Sequence, residues 1–63
     1  MNIGETFKTR DGELVTVIEV TSNATHPVVA LDTKRRFQKY TREGRYISSE
    51  VHHKKDLVQK YEP

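Results

Sequence analysis

Leu14-Val15-Thr16-Val17-Ile18-Glu19-Val20 is built mostly from β-branched residues. Such side chains lose rotamer freedom in a helix and pack well on a pleated surface, so this run predicts a strand. Its inward parity is open: Leu14, Ile18 and Val20 compete with Val15 and Val17, as expected where both faces are partly covered. Just before it, Arg10-Asp11-Gly12-Glu13 reads as a tight turn, because Asp-Gly supplies the positive φ of a hairpin. On the other side of that turn, Ile3-Gly4-Glu5-Thr6-Phe7-Lys8-Thr9 alternates, with Ile3 and Phe7 on one face. A second strand is expected there.

In the other direction, Thr21-Ser22-Asn23-Ala24-Thr25 is a polar loop. Pro27 opens the short apolar strand Val28-Val29-Ala30-Leu31, a central one by composition. Asp32-Thr33-Lys34-Arg35 turns the chain into Arg36-Phe37-Gln38-Lys39-Tyr40-Thr41, a strand in which Phe37 and Tyr40 fall on opposite parities. Arg42-Glu43-Gly44 turns it again, with Gly44 at positive φ, into a short strand Arg45-Tyr46-Ile47. Residues 48–55 are the least regular, with Ser49 placed to cap a single helical turn, and Asp56 to Tyr61 closes the sheet. Five or six short strands with frequent turns predict an all-β fold, a small SH3-like barrel or strongly bent antiparallel sheet. The expected core is Ile3, Phe7, Val15, Val17, Val28, Ala30, Leu31, Phe37, Ile47 and Leu57.

The chain has 63 residues, enough for one small domain spanning 1–63 and a thin core. That size excludes a multi-layer enzyme with a deep pocket. With no cysteine there is no disulfide, no thiol chemistry and no Cys-type zinc site. Thr16 and Glu19 interrupt the longest apolar stretch, far short of the roughly 20 residues a membrane helix needs. Met1-Asn2-Ile3-Gly4-Glu5 lacks the basic start and apolar run of a signal peptide, so a cytoplasmic location is expected. On that expectation, the glycosylation pattern Asn23-Ala24-Thr25 has no consequence.

Charge is uneven. Residues 1–31 hold two basic and four acidic side chains, whereas residues 32–63 hold nine and five. Between Lys34 and Lys55, eight basic residues face only Glu43 and Glu50. An anionic partner is the expectation. Lys34, Arg35, Arg36, Lys39, Arg42 and Arg45, interleaved with Tyr40 and Tyr46, form the candidate binding set for a partner or for phosphate. Cations hold phosphates and exposed aromatic rings stack bases, although Phe37 and one tyrosine are also candidates for the core.

Other chemistry finds no support in the residues. His52 and His53 are adjacent and would point to opposite faces of a strand, and His26 and Glu50 are remote in sequence, so no metal site is expected. Ser48 and Ser49 lack a glycine elbow, and no glycine-rich phosphate loop occurs, so no catalytic residue and no cofactor are expected.

Four segments carry a resemblance: Thr9-Arg10-Asp11-Gly12, Pro27-Val28-Val29-Ala30-Leu31, Tyr40-Thr41-Arg42-Glu43-Gly44-Arg45-Tyr46 and Asp56-Leu57-Val58. Their order and spacing resemble small proteins and C-terminal modules encoded by bacteriophages and prophages, from about Gly4 to Val58. The resemblance implies a phage setting inside a bacterial host and supplies no mechanism. The chain departs from that pattern in its basic Lys34-Arg35-Arg36 turn and in His52-His53-Lys54-Lys55. The expected role is a non-enzymatic accessory protein that binds a host macromolecule, in the first place a protein, with inhibition as one outcome of that binding. The alternative is a nucleic-acid-binding β-barrel module using residues 34–55, and open strand edges leave room for a homodimer.

Overall fold

A computed structural model describes residues 1–48 and 50–62. The expected capping role of Ser49 lies outside the described residues. The strands are β1 (Thr6–Thr9), β2 (Leu14–Val20), β3 (Val28–Asp32), β4 (Phe37–Tyr40) and β5 (Leu57–Lys60). They form one antiparallel sheet in the order β4-β3-β2-β1-β5, with no helix among the described residues. The fold is all-β, as the alternation predicts.

A lone sheet must curl to bury one of its faces, because no second layer covers it. Two register shifts support the curl, one at Ile18 between Val17 and Glu19 and one between Lys8 and Thr9. The bulge at Ile18 also resolves the parity conflict in β2. Val15 and Val17 point inward before it, and Val20 pairs with inward-facing Val28 after it. Beyond β4 the chain returns to the opposite edge of the sheet, where the Leu57 amide donates to the Gly44 carbonyl at 2.9 Å. The result is a curled five-stranded sheet measuring 30 × 23 × 19 Å.

The buried apolar core is small: Val15, Val17, Val28, Ala30 and Tyr40, with Met1, Phe7, Tyr46 and Leu57 packed against it. Four expected core residues lie outside it: Phe37, Ile3, Ile47 and Leu31. Phe37 is 70% exposed, Ile3 67% and Ile47 47%. The pairing of Val28 with Tyr40 and Ala30 with Gln38 turns Tyr40 inward, and period two then turns Phe37 outward beside Leu31. Leu31 accordingly sits half-buried on the outer face, not in the core. Ile3 precedes the sheet, since β1 begins only at Thr6, after Gly4 at φ +94°. Residues 45–47 form no strand, contrary to expectation: Tyr46 and Ile47 are bends, and Ile47 is left at the surface.

Turn chemistry follows the sequence closely. Gly12 and Gly44 both have positive φ, at +92° and +85°. In the 21–25 loop, Asn23 Oδ1 accepts from the Thr25 and His26 amides, the self-bonding that favours Asn in loops. The 32–36 turn is held in the same way: Asp32 Oδ1 accepts from the Lys34 and Arg36 amides while Arg35 adopts φ +60°.

Candidate functional site

Two buried carboxylates organise the basic half of the chain. Asp32 also accepts from Arg36 Nε at 3.1 Å and Gln38 Nε2 at 3.2 Å. Asp56 is a wider junction. Its Oδ1 accepts from the Tyr46 amide at 2.8 Å, and its Oδ2 from the His53 amide at 2.9 Å. The guanidinium groups of Arg45 and Arg10 lie 3.2 and 3.3 Å from the same Oδ2. Through this one side chain, the β1–β2 turn, the 45–46 bend and the turn before β5 are fixed to each other.

These contacts set the acidity of both groups. Burial raises the Asp56 carboxyl, but the Tyr46 and His53 amides and the two arginines outweigh it and hold it at about 2. For Asp32 the Arg36 amide leads; burial opposes it, and Gln38, Lys34 and the Arg36 side chain add to it, leaving it at about 2. Both values lie below the ordinary 3.8. A carboxyl depressed on folding stabilises the fold above its unfolded pKa, and that contribution disappears as pH falls through the folded one. Urea midpoints are therefore expected to lose this contribution below about pH 4 and down to about pH 2. An Asp56→Asn variant should start lower and show a shallower fall across that window; an equal fall in parent and variant would refute the assignment.

The structure disperses the candidate binding set. Arg45 is committed to Asp56, and Tyr40 is fully buried. Burial pushes the Tyr40 phenol well up, and its hydroxyl is the one buried side-chain polar atom without a partner among the described residues. Tyr46 is half-buried, packed edge-on to Tyr40 at 5.8 Å and stacked on His53 at 4.6 Å, with Lys55 Nζ 5.4 Å from its ring centre. Tyr40 offers no ring face for a base, and His53 already stacks on Tyr46. Lys39 lies on the outer face of β4, and Arg35 projects from the 32–36 turn. Arg42 lines a separate hollow of about 470 Å³ with Thr25, His26, Glu43 and Ile47.

Lys34 and Arg36 enter a different grouping. With Lys54 and Lys55 they line an open cleft of about 480 Å³, completed by Asp11, Gly12 and Glu13 of the β1–β2 turn. The basic 34–36 turn and Lys54-Lys55 thus meet in space. Sequence reasoning assigned neither the cleft nor the role of Asp56. Asp32 carried a local signal, an Asp at the head of a turn. Asp56 had none, because its partners are up to 46 residues away.

The histidines are separated in function. The His26 ring nitrogen Nε2 bonds the Tyr46 carbonyl at 2.9 Å, His53 stacks on Tyr46, and His52 lies 3.4 Å from Arg45. Among the described residues, no three metal-binding side chains are grouped to hold an ion. No helix among them is long and apolar enough to cross a membrane.

The second exposed feature is the outer face and open edge of β4. Among the described residues this strand pairs only with β3, so its other edge has no strand partner there. Phe37 stands there, largely exposed, with Arg35, Arg36 and Lys39 close by in the chain. Comparison with known proteins returned no matching family model, no matching curated protein and no matching solved structure.

Proposed function

We propose that the chain is a non-enzymatic accessory protein of phage or prophage origin that attaches to, and inhibits, a host protein in the bacterial cytoplasm. One observation carries the reading: Phe37 is 70% exposed on an open, cation-flanked strand edge. An aromatic ring in that position loses hydrophobic stabilisation until a partner covers it. Aromatic and arginine side chains dominate binding hot spots, and open edges accept an added strand. The partner surface is expected to be acidic around an apolar contact, matching Arg35, Arg36 and Lys39. The resemblance to phage-encoded proteins supplies the bacterial setting.

The exposed Phe37 ring also favours the alternative, a nucleic-acid-binding module, because an aromatic beside cations stacks single-stranded bases. Against it stand the burial of Tyr40 and the stacking of His53 on Tyr46, which leave Phe37 as the one largely exposed ring of the three.

Phe37→Ala is expected to leave the urea midpoint close to the parent's, because the ring lies outside the core, while it abolishes the complex. The test is capture from host lysate, with and without nuclease, using the parent, Phe37→Ala and Lys39→Glu. One stoichiometric host protein that survives nuclease and is lost with both variants supports the proposal. Capture that vanishes with nuclease, together with oligonucleotide binding that falls steeply with salt, supports the alternative. Capture undiminished by both substitutions rejects the β4 surface.

A further inference from the structure

The cleft at the turn end of the sheet is distinct from the β4 edge, sharing only Arg36 with it. Three segments build it, and each is fixed by backbone bonds. The Arg10 amide donates to the Asp56 carbonyl at 2.8 Å, and the Asp11 amide to the Lys54 carbonyl at 3.0 Å. Those bonds tie the β1–β2 turn to the turn before β5. Asp32 fixes the third segment through the Lys34 and Arg36 amides. The backbone positions of Lys34, Arg36, Lys54 and Lys55 are therefore set before any ligand arrives, which lowers the ordering cost of binding.

The side chains of Lys34 and Lys54 remain available, whereas the Lys55 ammonium rests 5.4 Å from the Tyr46 ring centre, a weak contact that a phosphate would compete with. Among the described residues, Lys34, Lys54 and Lys55 have no carboxylate within 4.0 Å, and Arg36 engages Asp32 only through Nε. The terminal nitrogens of its guanidinium are left to donate outward. Of the two opposing carboxylates, Asp11 accepts the Thr9 hydroxyl. Four cations stand against Asp11 and Glu13 in the lining and against Asp32 behind Arg36, so the cleft keeps a net positive charge of one.

We propose that this cleft binds a phosphate monoester, with Lys34, Lys54, Lys55 and Arg36 donating to its oxygens. A monoester carries about −1.5 to −2 at neutral pH and has three strong acceptor oxygens, which suit a net positive cleft lined by several cationic donors. The cleft's 480 Å³ lies within the range of small-ligand sites, leaving space for the esterified group. A long polyanion is disfavoured, because its neighbouring charges would lie against Asp11 and Glu13. The monoester could be a free metabolite or a phosphorylated side chain, which present the same chemistry.

The test is a titration at constant ionic strength, followed by amide resonances of Gly12, Lys34, Lys54 and Lys55. The probes are phenyl phosphate, a short phosphoserine peptide and its unphosphorylated twin. Saturable shifts with the first two and none with the third are expected. Lys34→Ala and Lys54→Ala should each weaken binding about tenfold, the loss of one charge-assisted hydrogen bond. Glu13→Gln should tighten it, because one opposing charge disappears. Tighter binding of the peptide identifies a phosphorylated partner, and equal binding a free ester; either outcome supports the site. Shifts that match added chloride, or affinities unchanged in both lysine variants, overturn it. Phe37→Ala serves as the control: it should leave phosphate binding intact, so failure here is separable from failure of the β4 reading.

Discussion

Asp56→Ala is expected to destabilise the fold by about 3 kcal/mol or more, mainly by orphaning what the carboxylate now joins. The Tyr46 and His53 amides lose their acceptor, and Arg10 and Arg45 lose their shared counter-charge. A buried amide without a partner costs about 1–3 kcal/mol, and two are affected. The loss is large against the roughly 3–9 kcal/mol available to a domain of this size. Denaturant titration measures it. Asp56→Asn keeps the shape and one acceptor oxygen, so it should fall between parent and Ala. If the Ala variant unfolds at the parental midpoint, Asp56 is not the junction described here.

Gly44→Val is the second large effect, and it should exceed that of Gly12→Val even though both glycines hold similar positive φ. Backbone strain is common to the two and costs about 1–3 kcal/mol. Space distinguishes them. A Cβ at Gly12 would meet nothing within 4 Å, whereas at Gly44 it would lie 2.5 Å from Met1 Cε and 3.1 Å from Leu57 Cβ. The Met1 methyl is the end of a flexible chain and can swing aside. Leu57 cannot, because its amide is bonded to the Gly44 carbonyl and it begins β5. Overpacking adds about 1–3 kcal/mol to the strain. Urea midpoints should therefore rank parent, Gly12→Val, Gly44→Val in descending order, with Gly44→Ala between the last two. Equal midpoints for the two valine variants would show that Gly44 is not packed against Leu57.

Much of this architecture was legible in local pattern. β-branched residues in β2 and β3 marked strands, and Asp-Gly and Glu-Gly marked turns with positive φ. Such signals act within a few residues of themselves, so no tertiary knowledge is needed to read them. The basic character of residues 34–55 was equally plain, since charge is additive along the chain. What charge counting could not show was its distribution: Arg45 is spent on Asp56, Arg42 faces another hollow, and Lys34 and Arg36 join Lys54 and Lys55.

The opposite parities of Phe37 and Tyr40 define the boundary between sequence and structure. By itself the sequence determined that one ring must face in and the other out, because side chains alternate along any strand. Only the pairing of β4 with β3 decided which, by setting Tyr40 opposite buried Val28 and Phe37 opposite Leu31. The same division holds for the carboxylates. Asp32 binds amides within four residues, a geometry its own turn dictates, whereas Asp56 gathers groups from positions 10, 45, 46 and 53. Local sequence determined strands, turns and net charge, since those depend on neighbours along the chain. Tertiary structure decided the buried ring, the junction carboxylate and the cationic cleft, since each depends on groups that approach only when the sheet curls.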